Sequence, residues 1–95
     1  MRLAEHAQLV GWFATEHGKV VSYSIVLLTL HEGRWQTVRV CDNAHGENEM
    51  QRHTLSAGKH RAEAVRAGGE FGEAMRAARD EALAGYEKMI EAWRH

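Results

Sequence analysis

From Val20 to Leu30 apolar and β-branched residues follow one another almost without a break: Val20, Val21, Tyr23, Ile25, Val26, Leu27, Leu28, Thr29 and Leu30. Such side chains pack well on a pleated surface, so the run predicts a strand. Its second half is apolar on both faces, the pattern of a strand covered on both sides. Trp35 to Cys41 alternates instead, with Trp35, Thr37, Arg39 and Cys41 on one face and Gln36, Val38 and Val40 on the other. Joined through His31-Glu32-Gly33-Arg34, the two runs predict an antiparallel hairpin. Glu49 to Leu55 alternates again and predicts a third strand, with Met50, Arg52 and Thr54 opposed to Glu49, Gln51, His53 and Leu55. The first seventeen residues admit two readings. Leu3, Ala7, Val10 and Ala14 fit a helix, while Leu9 to Thr15 fits a strand turning back at His17-Gly18, the favoured one because Gly11-Trp12-Phe13 is poor helix material.

From Glu70 to Arg94 the period becomes helical. Phe71, Met75, Ala78, Ala82, Met89 and Trp93 recur at spacings that place them on one stripe, widened by Ala74, Tyr86 and Ile90. Gly85 marks a mild weakness inside it, worth about 1 kcal/mol relative to alanine. Ser56 to Gly69 is glycine-flanked and irregular, with room for a short element near Glu63 to Arg66. The expected fold class is therefore α+β: a three- to four-stranded antiparallel meander followed by one long C-terminal helix packed on one sheet face, all in a single domain. One helix covers one face only, while Ile25 to Leu30 asks for cover on two. The N-terminal segment, the Ser56–Gly69 stretch or a second copy of the chain could supply it, and a homodimer is the simplest source.

Composition narrows the classes without choosing one. At 95 residues the chain suits one core, and 44% apolar with 26% charged residues is ordinary for a globular domain. A formal net charge of −1 offers no global attraction to nucleic acid or anionic membrane. Cys41 is the only cysteine, so no intrachain disulfide is available. No secretory signal or membrane-length apolar run is present, and a cytoplasmic location is the expectation.

The candidate chemistry lies between Asp42 and Arg61, where Asp42, Asn43, His45, Glu47, Asn48, Glu49, Arg52, His53, Lys59, His60 and Arg61 crowd together. The plainest reading of Asp42-Asn43-Ala44-His45-Gly46 is a turn, since Asp and Asn bond to nearby amides and glycine supplies positive φ. A second reading is acid–base chemistry without a metal. If the loop folds back, His45 could take a proton from a ribose hydroxyl, His53 could protonate the leaving oxygen, and Arg52 or Lys59 could stabilise the phosphorane. Arg52, Lys59, Arg61 and Arg66 against Glu63 leave a local positive excess suited to RNA backbone. A third reading is a metal held by His45, His53, Asp42 and Glu49, but none of the strong ligand spacings occurs and no metal or other cofactor is expected.

The core Asp42-Asn43-Ala44-His45, followed by a histidine-bearing strand, resembles the signature of TumE-type toxins of small toxin–antitoxin pairs. His53 is the candidate for the later histidine, and Cys41 stands where that family has an aromatic. The resemblance implies a toxin-related protein that acts on RNA or translation and pairs with an antitoxin protein. Catalytic candidates are then His45, His53 and Arg52, with Asp42, Asn43, Lys59 and Arg61 at the substrate. The rival expectation is a non-catalytic interaction module, antitoxin-like or a small dimeric accessory protein.

Overall fold

A computed structural model describes residues 1–56, 58–59 and 69–95. Its strands are β1 (Arg2–Ala4), β2 (Ala7–Glu16), β3 (Lys19–His31), β4 (Arg34–Asp42), β5 (Glu49–Thr54) and β6 (Gly58–Lys59), followed by one helix, α1 (Phe71–Trp93). The strands form one antiparallel meander in chain order, β1-β2-β3-β4-β5-β6. The four-stranded heart, β2 to β5, is the sheet expected from alternation; β1 and β6 are short additions at its two edges. The element near Glu63 to Arg66 and the residue Arg61 lie outside the described residues.

Turn chemistry sets the hairpins. Glu16 pairs with Lys19 and His31 with Arg34, so each loop has two residues. His17 and Gly18 have φ of 52° and 77°, and Glu32 and Gly33 have 50° and 77°. Two consecutive positive φ values make the mirror-image turn whose twist matches that of the flanking strands. Glycine takes the second position in both, where a side chain would be strained.

The core lies between the helix and one face of β2, β3 and β4. It contains Ala7, Leu9, Tyr23, Ile25, Leu27, Val38, Ala82, Ile90 and Trp93, with Phe71, Met75, Ala78 and Met89 packed against it. Thr29 belongs to the same layer, and its buried hydroxyl donates to the His6 carbonyl oxygen at 2.9 Å. The stripe predicted for α1 is therefore the buried one. Gly85 sits inside an unbroken helix, and a Cβ there would make ordinary contact, 3.5 Å from Met89 Cε. Gly85→Ala is expected to stabilise the protein by about 0.5–1 kcal/mol, read as a rise in the thermal midpoint.

The face assignment of β4 differs from simple alternation. Leu27 pairs with Arg39 but Leu28 pairs with Thr37, so Val38 is an extra residue in a β-bulge. Both Val38 and Arg39 consequently turn toward the helix. Arg39 and Cys41 share the helix side, while Trp35 and Thr37 fall on the opposite face. The bulge is why the four do not share one face.

That opposite face has no cover among the described residues. The N-terminal segment joins the sheet as an edge strand rather than folding across it, and α1 lies on the core side. Val10, Trp12, Leu30 and Trp35 remain 36–56% exposed there, beside half-buried Val26, Leu28 and Val40. Arg2 caps one end of this patch, its guanidinium carbon 5.5 Å from the centre of the Trp35 ring.

Candidate functional site: the Asp42–Asn48 turn and the groove beside it

β4 ends at Asp42 and β5 begins at Glu49, and the two pair across the loop between them. Inside the loop, the Gly46 amide donates to the Asn43 carbonyl oxygen at 2.9 Å, closing a turn around Ala44 and His45. Asp42 Oδ1 accepts from the Ala44 amide at 3.2 Å, the local bond that favours aspartate at this position. Gly46 takes a φ of 84°.

Asn43 and Asn48 are both buried and fasten the loop to β3. Asn43 Oδ1 accepts from the Tyr23 amide at 3.0 Å and its Nδ2 donates to the Val21 carbonyl oxygen at 3.0 Å. The side chain thereby stands in for a strand residue beside β3, where the ladder with β4 has ended. Tyr23 Oη donates to Asn48 Oδ1 at 2.6 Å. With both ends pinned, Ala44, His45, Gly46 and Glu47 form an exposed tip. Asp42 and Asn43 thus fix the turn, and the amide of Asn43 is committed to the fold at both ends.

The tip does not gather the predicted histidines. His45 precedes β5 and His53 lies near the strand's far end, four residues past Glu49, which at the strand rise is about 13 Å. His53 lines a small cleft with Gln36, Thr37, Thr54, Leu55 and Trp93, at the opposite end of the helix from the turn. Arg52 is exposed on the helix side of β5, directly across from Arg39. Lys59 enters β6 opposite His53. Among the described residues no group of three or more His, Cys, Asp and Glu side chains is placed to hold a metal ion.

Sequence reading missed a groove of about 340 Å³ between α1 and the β4–β5 ladder. Its floor is Tyr23, Cys41 and Met50, its helix wall is Ala74, Ala77 and Ala78, and Arg39, Arg52 and Glu81 sit at its rim. The three alanines leave the space that longer side chains would fill. Arg39 lies 3.8 Å from the Glu81 carboxylate, which offsets the cost of setting two arginines opposite each other on neighbouring strands. The run of alanines on one helical face was the available signal, and its meaning depended on where the helix docks.

Burial pushes the Cys41 thiol up to about 11 and the Tyr23 phenol up to about 12. The Arg39 charge opposes the shift at Cys41, while Cys41 and Asp42 add to that at Tyr23. A thiol held protonated at neutral pH is a poor nucleophile. Cys41 is therefore expected to react with iodoacetamide at pH 8 at least about tenfold more slowly in the folded protein than in urea, followed by mass spectrometry. Both acids have folded values above their ordinary ones, so folding favours their neutral forms. Their contribution is complete below about pH 9 and lost as pH rises through 12. The urea midpoint is expected to fall across that window, and to fall less in Tyr23→Phe.

No α-helix among the described residues is long and apolar enough to cross a membrane. Comparison of the chain with protein-family models, with curated proteins and with solved structures found no match in any of the three.

Proposed function

We propose that this protein is a non-catalytic interaction module whose working surface is the face of its sheet opposite the helix, uncovered among the described residues. The observation that carries this reading is the apolar row Val10, Val26 and Val40, which runs in register across β2, β3 and β4 away from the helix. Trp12 lies at one end of the patch and Leu28, Leu30 and Trp35 at the other, with Gln8, Thr37, Gln51, Asp42 and Glu49 around it. An apolar centre with tryptophans and a polar rim is the composition of a protein interface. A partner with an apolar helix or sheet surface fits it, and an antitoxin or the recipient of an accessory protein would meet that description.

The test is a photo-crosslinking amino acid placed at Ser24, in the same face, and separately at Arg79, on the exposed side of α1. In the native host the Ser24 position is expected to give a discrete protein adduct and the Arg79 position none. No adduct from Ser24 would reject the reading.

A second reading, a toxin-related protein acting on RNA or translation, draws on the pinned turn. A histidine held exposed at a fastened tip is available to a large substrate, and Arg52 presents a cation on β5, the strand that follows the tip. The distance between His45 and His53 favours a single-histidine role over a two-histidine relay. On this reading His45→Ala abolishes RNA cleavage or translation arrest by the purified protein, and full activity in that variant rejects it.

A further inference from the structure

We propose that the outer edge of β2 pairs antiparallel with the same edge of a second copy of the chain, joining two sheets into one about a two-fold axis through Phe13. Among the described residues the edge is free over most of its length. β1 pairs with β2 only around Ala7 and Gln8, and Met1 and Leu9 exchange both backbone bonds, Met1 N to Leu9 O at 2.7 Å and Leu9 N to Met1 O at 2.8 Å. Past Leu9 no described residue pairs with this side of the strand, which runs on to Glu16. An unpaired strand of this length is a template for another strand, and natural edges are usually guarded by lysine, proline or a bulge. Val10 to Glu16 contains neither lysine nor proline, and the one register shift in this stretch leaves its extra residue, Val21, on β3.

Parity fixes which groups are free. Leu9 turns its amide and carbonyl toward β1, so Gly11, Phe13 and Thr15 turn theirs outward, and Val10, Trp12 and Ala14 turn theirs toward β3. The outward residues are symmetric about Phe13. A two-fold axis there sets Phe13 against its own copy and Gly11 against Thr15, and every outward amide and carbonyl of the free stretch finds a partner. A shift of one residue would put outward groups opposite inward ones, and a shift of two would run the end of one strand into the other copy's Met1 or leave outward groups unpaired.

Side chains agree with that register. On the open face Trp12 meets the partner's Ala14, large against small, and on the helix face the β-branched Thr15 lies across from Gly11. Phe13, 59% exposed, meets its own copy, and Trp12, 56% exposed, gains cover at the seam. The identity of the two edges is why a second copy, rather than an unrelated strand, fits all of these pairings at once.

The full chain is tested by sedimentation at micromolar concentration, with Phe13→Lys and with single cysteines in a Cys41→Ser background. The wild type is expected to sediment as a dimer, and Phe13→Lys to raise the dissociation constant by on the order of 30-fold or more. Phe13→Cys is expected to oxidise to a covalent dimer, because directly opposed residues place their Cα atoms about 5.5 Å apart. Trp12→Cys, two residues out of register with its own copy, is expected to form no covalent dimer on oxidation. A monomeric wild type overturns the proposal, as does a dimer that survives Phe13→Lys and fails to crosslink through Phe13→Cys. Circular dichroism on Phe13→Lys distinguishes loss of pairing from loss of fold, and the crosslink readout stands without that variant. The edge shares Trp12 with the open face but the Ser24 probe sits one strand in from it, so a monomer that still gives Ser24 adducts removes this pairing and leaves the interaction module standing.

Discussion

Asn43→Ala is expected to destabilise the protein by about 3 kcal/mol, although the residue sits in a loop whose tip is exposed. The reason is that its amide supplies the partner for the Tyr23 amide and for the Val21 carbonyl, 3.0 Å from each. Alanine leaves both backbone groups of β3 without that partner, and each such loss costs about 1–3 kcal/mol when the group stays out of water. The loop would also lose its fastening at Asn43 and rest on Tyr23 and Asn48 alone. Urea unfolding of the purified variant should show a lower midpoint with an unchanged slope, the signature of lost stability rather than altered compactness. Asn43→Asp separates the two bonds: a carboxylate can accept from the Tyr23 amide but cannot donate to the Val21 carbonyl, and it sets a negative charge beside that oxygen. It should therefore be no better than alanine. A near-neutral Asn43→Ala would mean that water replaces the amide at both positions and that the bond between Tyr23 and Asn48 is enough to fasten the loop.

Asn43 also marks where sequence reasoning reaches its limit. The local part was legible: Asp42-Asn43 before Gly46 reads as a turn from short-range bonding, and the Asp42 bond to the Ala44 amide is such a bond. The part that matters energetically joins positions 20 and 22 residues apart, and it exists only once β3 and β4 have found their register. The strands themselves were readable because alternation is a property of single segments. The Val38 bulge was not, because a valine buried beside a shifted Arg39 has the same one-dimensional pattern as a valine on the far face. The two-sided apolar character of Ile25 to Leu30 asks for cover on two faces, and among the described residues only the core side receives it. The helix was the easiest element to read, since its stripe spans more than six turns and each turn repeats the same message.

Trp93→Ala is expected to cost about 3–5 kcal/mol, the usual range for removing a large aromatic from a core. A small domain is stable by only about 5–15 kcal/mol, so the variant should be close to unfolding at 37 °C. Trp93 is 3% exposed and ends α1, and its ring meets that of His31 nearly edge-on, 5.5 Å between centres and 77° between planes. Its carbonyl oxygen accepts from the Leu55 amide at 2.7 Å, which ties the end of the helix to the chain leaving β5. One residue thus closes three elements: the β3 end that carries His31, the β5 end that carries His53, and the last turn of the helix. The alanine variant keeps the Leu55 bond, because that bond is made by the backbone, and loses only the packing. The expected result is therefore a lower thermal midpoint together with loss of the near-ultraviolet dichroism contributed by a fixed indole, while the helical signal at 222 nm falls little below the transition. A Trp93→Phe variant fills part of the same space and should recover roughly half of the loss. If Trp93→Ala were as stable as the parent, the helix would have to be held mainly through Ala82 and Ile90, and the contact between α1 and the β5 end would carry no weight in the fold. The turn at Asp42–Asn48 should be unaffected in either variant, since its fastenings to Tyr23 and Val21 lie at the other end of the helix. His45 reactivity toward diethyl pyrocarbonate then serves as the internal control, unchanged by Trp93→Ala as long as the protein is folded.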